Sequence, residues 1–368
     1  MTQHRLKPQH ALVVAGPGSI VLLEGAADIL AAPLRVGRKV VVRSERQVPI
    51  LAENECLLEV SLGEGAQVAE YPNTTIPASW NAAYEALGEI GEGVFVVVGG
   101  TDVGKSTLCT FLINSIHLSG RGVVFIDADI GQTDLGPPTT IGGTGINGPV
   151  ETVSSLAPDK LYFAGDNSPG RITDRVIAGI RKIVEALEIA DRVCIINTDG
   201  WIDDDLALLY KVRLLNDVHP SMVVGIESEP VRQILAVSKW PSLLVQPSEI
   251  VRYRSRLDRK VLRQYGYRRY LENSKVWAYP ANPDTVRLVV GTAEPEISPA
   301  TAIDLRNLIV GLLDRQGFAL GVGILLEYDR RHGVVKIHSS PQDAVAKIEI
   351  GNVRLTPDGV EIGYLYEH

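Results

Sequence analysis

The sequence predicts an α/β fold: a central doubly wound parallel sheet flanked by N-terminal and C-terminal β-rich domains. Three observations predict it. Apolar runs of four or five residues alternate with longer amphipathic stretches from Val94 to about Gln246. The glycine-rich stretch GGTDVGKST (99–107) directly follows one of those runs, VFVVV. Short β-rich segments occupy both ends of the chain without a helical period.

Taken in order, residues 10 to 70 contain IVLLEG, KVVVRS, VPILA and CLLEVSL, separated by Gly, Pro and charged residues, which reads as a small antiparallel β domain over 1–80. YPNTTIPASW is a Pro-containing connection, and NAAYEALGEI reads as the helix ahead of the glycine-rich loop. The runs VFVVV, VVFID, LYFAG, VCIIN, MVVGI and SLLVQ supply near-continuous apolar strands suited to a sheet covered on both faces, in a central domain over 81–273. KVWAYP, TVRLVVG, NLIVGLL, FALGVGILLEY and GVVKIHS then predict a second β domain over 274–368. A ligand of such a sheet belongs beyond the carboxyl ends of its strands, and the motifs fall there.

Composition bounds the class. The 368 residues are 45% apolar and 22% charged with a net charge of −8, which fits a globular protein of two or three domains and argues against a uniformly basic nucleic-acid binder. Cys56, Cys109 and Cys194 have no metal-binding spacing and read as core thiols of a reducing compartment. No apolar run approaches a membrane span and MTQHRLKPQH lacks an apolar leader core, so the expectation is a cytoplasmic protein without membrane contact.

GGTDVGKST marks the sheet as that of a P-loop NTPase, with Gly99, Gly100, Thr101, Asp102, Val103, Gly104, Lys105, Ser106 and Thr107 as the nucleotide-binding loop: the backbone N–H groups of Gly100 to Lys105 can ring the β-phosphate, with Lys105 neutralising β- and γ-oxygens. Ser106 is the expected Mg²⁺ ligand, and with Thr107 it opens a helix whose positive end faces the anion. The next strand ends VVFIDADIGQTDLGPP, where Asp127 and Asp129, two apart on a strand, would face one side and address one magnesium and one nucleophile; a turn-capping role is the alternative. NTDG (197–200) lacks the lysine of a guanine-recognition stretch, which leaves ATPases and kinases.

Residues 251–269, VRYRSRLDRKVLRQYGYRR, carry eight basic residues against one aspartate, a net +7, with three tyrosines. The segment follows the last sheet strand, where a lid over a nucleotide is topologically available; a solvated basic helix is the alternative. Arg254 and Arg259 would lie about 140° apart on one continuous helix. Either the helix starts between them or they grip from different sides. Trp201, just past another strand end, offers a stacking platform for a base, or else a tryptophan packed between domains.

Together GGTDVGKST, DADIGQ, NTDGW and RSRLDR with YGYRRYLE resemble the P-loop polynucleotide 5′-hydroxyl kinase family, over roughly 90–272. The resemblance implies ATP as donor, with GTP admissible, and Mg²⁺. It implies RNA or DNA with 5′-hydroxyl ends as acceptor, and protein partners in RNA processing. It implies Asp129 as general base, Arg254 and Arg259 as lid arginines acting with Lys105, Trp201 as the residue stacking on the acceptor base, and Gln132 as a polar ligand near phosphates or acceptor. Asp127 joins Ser106 at the metal. A non-catalytic ATP-dependent scaffold and a dethiobiotin-synthetase-like ligase are the competing readings; Trp201 and the arginines speak against the ligase.

Overall fold

The computed structural model describes residues 1–281, 285–289, 304–329, 331–340 and 344–367. Nine strands come first: β1 (Thr2–Leu6), β2 (Ala11–Ala15), β3 (Gly18–Glu24), β4 (Ala27–Ile29), β5 (Ala32–Pro33), β6 (Lys39–Val42), β7 (Gln47–Ala52), β8 (Cys56–Leu62) and β9 (Gln67–Tyr71). They form two antiparallel sheets, ordered β1-β8-β3-β6 and β5-β4-β7-β2-β9. Alternation in strands such as KVVV leaves Lys39 and Val41 facing out while Val40 and Val42 enter the shared core.

The central region runs α1 (Ala78–Ile90), β10 (Gly93–Val98), α2 (Lys105–Leu118), β11 (Val123–Ala128), β12 (Thr140–Ile146), β13 (Lys160–Phe163), α3 (Thr173–Ala186), β14 (Val193–Thr198), α4 (Asp205–Val218), β15 (Met222–Ile226), α5 (Glu229–Val237), β16 (Ser242–Val245) and α6 (Arg256–Leu271). Its sheet is ordered β13-β12-β11-β14-β10-β15-β16. One face packs on α1, α2 and the N-terminal sheets. The other packs on α3, α4 and α5. The chain is thus doubly wound as expected.

The sheet is mixed rather than wholly parallel. β12 runs antiparallel to both β11 and β13. The connection from β11 to β12, residues 129–139, is too short for a crossover, so the chain can only turn back. The strand TIGGTGI escapes an apolar-run reading because three of its seven residues are glycine. A side chain at Gly143 would sit 2.4 Å from Ile183, so α3 could not approach the sheet as closely.

β17 (Lys275–Pro280), β18 (Val286–Leu288), β19 (Leu308–Leu313), β20 (Ala319–Asp329), β21 (Val334–Ser339), β22 (Lys347–Leu355) and β23 (Glu361–Tyr364) complete the chain. They form a sheet ordered β17-β21-β20-β19-β22-β18, with β23 on β22; β18 pairs β22 in parallel and the remaining pairings are antiparallel. Within TVRLVVG, Val290 and Gly291 lie outside the described residues. Tyr267 and Leu271 of α6 enter the same cluster as Phe163, Ile309 and Val322, which fixes α6 to this sheet. All three cysteines are buried and free.

Candidate functional site

The glycine-rich loop joins β10 to α2. Asp102 and Gly104 both take left-handed backbone angles, φ 59° and 99°, the alternation that turns successive N–H groups into one concavity. Lys105 is buried, and its Nζ donates to the Gly100 carbonyl at 2.7 Å. A cavity of about 370 Å³ opens over the loop, a size suited to a nucleotide. Thr101, Asp102, Gly104, Lys105, Ser106, Thr107, Asp129, Gln132 and Arg254 are among its lining residues; Gly99, Gly100 and Val103 support the loop from behind.

Asp127 and Asp129 part company. β11 ends at Ala128, so Asp129 leaves the pleat and the two carboxylates do not face one ligand. Asp129 stands on the cavity wall, with Oδ1 accepting the Gln132 N–H at 3.0 Å. Burial pushes its carboxyl above the usual carboxylate range, while Lys105 pulls it down. Asp127 is fully buried and turned into its own loop. One oxygen accepts from the Asn197 amide and the Asp129 N–H, the other from Thr133 and the backbone of Asp134 and Leu135. Burial, with Asp134 and Asp129 nearby, raises its pKa to about 7.

The lid resolves the question posed by Arg254 and Arg259. The helix starts between them: Ser255 is the N-cap in a reciprocal capping box with Asp258. Arg254 therefore lies in extended chain and Arg259 in the first turn, and both reach Asp102, at 2.9 Å and 3.0 Å. Arg259 also donates to the Arg254 carbonyl, and Gln132 donates to the Arg259 carbonyl at 3.3 Å. Lid, acidic loop and P-loop form one connected set.

Trp201 stands outside the residues lining the cavity. Its indole stacks on Tyr210, centroids 5.8 Å apart, beside Gly170, and its Nε1 donates to Asp204, the N-cap of α4, at 2.9 Å. The preceding Gly200 carbonyl accepts from Thr101, and a side chain at Gly200 would strike the P-loop backbone at 2.7 Å. The tryptophan is thus tethered to the phosphate loop through its neighbour.

Sequence reasoning missed one wall of the cavity. Leu30, Arg38, Val41, Arg43, Arg46 and Gln47 of the N-terminal sheets line it. Arg46 pairs with Asp134 of the acidic loop, Gln47 donates to the Ile250 carbonyl, and the Glu45 carbonyl accepts from Arg254 at 3.0 Å. The only signal was VRSERQ, a charged turn between strands, which is indistinguishable locally from a solvated hairpin.

Residues 99–273 match the family described as the mRNA cleavage and polyadenylation factor CLP1 P-loop. The polyribonucleotide 5′-hydroxyl-kinase of Pyrococcus horikoshii is 26% identical over 73% of this chain and 88% of its own length. That of Thermococcus kodakarensis is 29% identical over 73% of this chain and 90% of its own. The Clp1 polyribonucleotide 5′-hydroxyl-kinase of Gallus gallus is 30% identical over 49% of this chain and 47% of its own. Clp1p, solved in complex with Pcf11p (454–563), shares the fold: TM-score 0.75 at 14% identity, over 96% of this chain and 98% of that one.

Proposed function

The chain belongs to the P-loop polynucleotide 5′-hydroxyl kinase family, through its segment 99–273 and its likeness to the archaeal kinases over most of its length, and from that premise we propose how it works. It is an ATP-dependent kinase that transfers the γ-phosphate to the 5′-hydroxyl end of a polynucleotide. The observation that carries the reading is convergence: Lys105, Asp129 and Arg254, widely separated in sequence, line one cavity above a phosphate-binding loop.

The residues fit a nucleoside triphosphate: a backbone concavity, a buried lysine and a cavity of nucleotide size. They also fit Mg²⁺, which supplies charge neutralisation on the β- and γ-oxygens when bound. Ser106 would hold it directly. Asp127, expected at the metal from its motif, is instead buried off the cavity with both oxygens accepting from protein donors, and orders the loop that carries Asp129.

The acceptor 5′-oxygen attacks the γ-phosphorus in line as the bond to the β-bridging oxygen breaks, and Asp129 takes the hydroxyl proton. Burial makes Asp129 a stronger proton acceptor than an exposed aspartate. Lys105, Arg254 and Arg259 stabilise charge on the transferring group and leaving oxygen. The two arginines pair with Asp102, and in transfer they exchange that carboxylate for the phosphoryl group. Trp201 stacks on the acceptor's terminal base and Gln132 positions its end. Protein partners in RNA processing belong to the same proposal, as does action on DNA beside RNA.

The test is transfer of labelled γ-phosphate from ATP, with GTP beside it, to matched 5′-hydroxyl RNA and DNA oligonucleotides and to a 5′-phosphorylated control. Label appears only on 5′-hydroxyl ends, and Asp129→Asn lowers turnover about 10²-fold or more. ATP binding without transfer would instead support a non-catalytic scaffold.

A further inference from the structure

Lys211 is a fully buried charged side chain, and nothing in the phosphoryl transfer uses it. It lies on α4, with its Nζ 2.8 Å from Asp199 Oδ2 and donating to the Asp199 carbonyl at 2.9 Å. The same carboxylate oxygen accepts the Tyr210 hydroxyl at 2.8 Å, while Oδ1 accepts the Trp201 N–H at 3.0 Å. Asp199 and Tyr210 are themselves almost wholly buried. The network therefore converges on Asp199, which in turn holds the backbone N–H of Trp201.

Asp199, Gly200 and Trp201 link the two halves of the site. Gly200 rests on Thr101 of the P-loop, and the Trp201 ring lies on Tyr210 of the network. A buried ion pair is a poor way merely to pack a helix on a sheet, since an apolar pair of similar volume does so at least as well. Its value lies in directionality. An ammonium between a carboxylate and a carbonyl holds the turn in one orientation, whereas apolar contacts would let it slide.

We propose that the Lys211–Asp199–Tyr210 network is a positioning device for acceptor recognition, setting the Trp201 indole against the terminal base of a 5′-hydroxyl polynucleotide. This rests on the kinase reading above. Lys211 touches neither substrate and acts through Asp199. Burial pushes the Lys211 ammonium below its ordinary value while Asp199 pulls it back, so the pair depends on both members. Removing the ammonium strands a buried carboxylate, and the turn carrying Trp201 must shift to reach another donor or water.

The experiment measures binding of a 3′-fluorescein 5′-hydroxyl RNA oligonucleotide by anisotropy, beside ATP affinity and thermal melting, on the full chain. Lys211→Met is expected to weaken oligonucleotide binding tenfold or more while ATP affinity stays within twofold. In the neutral double variant, Lys211→Met with Asp199→Asn, the amide oxygen still accepts the Trp201 N–H and the amide NH2 donates to the Tyr210 hydroxyl, which turns to accept. This variant should restore most of the lost affinity. Unchanged oligonucleotide binding in Lys211→Met overturns the proposal, as does a loss that the double variant fails to restore. If Lys211→Met does not fold, Tyr210→Phe, which keeps the stacked ring and removes only the hydroxyl, carries the test: a severalfold loss supports the proposal and an unchanged affinity overturns it. Wild-type protein that binds no oligonucleotide would sink the kinase reading, an outcome separate from variants that bind as wild type does.

Discussion

The two β-rich ends of the chain meet the central sheet differently. The N-terminal sheets put Val41, Arg43 and Arg46 on the cavity wall, and their turn at 45–47 bonds to the extended approach of the lid. The C-terminal strands contribute none of the described cavity-lining residues. They grip the lid helix from behind: Arg263 makes a two-pronged pair with Glu361, at 2.6 Å and 2.8 Å, and Tyr267 is buried among their side chains. The cavity-side pairs include half-exposed arginines that water and ligand can reach, such as Arg252 with Glu45. The pair behind α6 is more enclosed, with Arg263 16% and Glu361 4% exposed. The N-terminal sheets meet the cavity through pairs open to solvent, and the C-terminal sheet holds α6 from behind.

The largest expected effect breaks the anchor. Glu361→Gln leaves the Arg263 guanidinium against a neutral partner and should destabilise the protein by about 3 kcal/mol in chemical denaturation. Turnover should fall with it through a loosened lid. An undiminished stability with a weakened ATP affinity would erase the distinction between the two ends.

The opposite pattern is expected at the cavity. Val41 lies on the wall and is mostly exposed, so Val41→Asp costs no core packing and sets a negative charge facing the triphosphate. At ~1 kcal/mol or slightly more of repulsion, the KM for ATP should rise about tenfold with the melting temperature unchanged. A melting temperature that drops while KM holds would mean that this wall is structural too.

The smallest effect separates the ends by pH. Asp28, buried in the N-terminal sheets beside Glu53, has its pKa raised to about 6, chiefly by burial. A folded state that holds the proton more tightly than the unfolded chain loses stability as pH rises from about 4 to about 6. Asp28→Asn should flatten that slope and add roughly 1 kcal/mol near neutrality, read from denaturation midpoints across pH. Asp304, near the C-terminal sheet, is shifted the other way, to about 2, by Arg306. Its contribution is complete above the ordinary carboxylate pKa and is lost as pH falls toward 2. Asp304→Asn should therefore leave the slope between pH 4 and 6 untouched.

Much of the fold was legible because its cues are local. Apolar runs marked β10, β11, β14 and β15, and the loop after β10 announced itself within nine residues. β12 was not legible, since its glycines serve close packing against α3 rather than apolar periodicity. In the site, Lys105, Asp129, Gln132 and Arg254 could be singled out from motifs. That Asp102 would receive both lid arginines could not, because the partners lie more than a hundred residues apart. Arg46 and Asp134, 88 residues apart, give no local sign of their pairing either, and Lys211 is an unremarkable lysine within YKVR whose burial no local pattern announces.

The sequence by itself determined the phosphate loop and the strand ends that carry it; the start of α6 at Ser255, open in the sequence between two readings, is a capping box of equally short range. Each of these is settled by backbone geometry and hydrogen bonds spanning a few residues. The tertiary structure alone decided which charges meet. It turned Asp127 into its own loop, set the N-terminal turn against the lid and sealed Lys211 behind Trp201. Ion pairs and burial depend on distance in space and on exclusion of water, and neither is written in the spacing of residues along a chain.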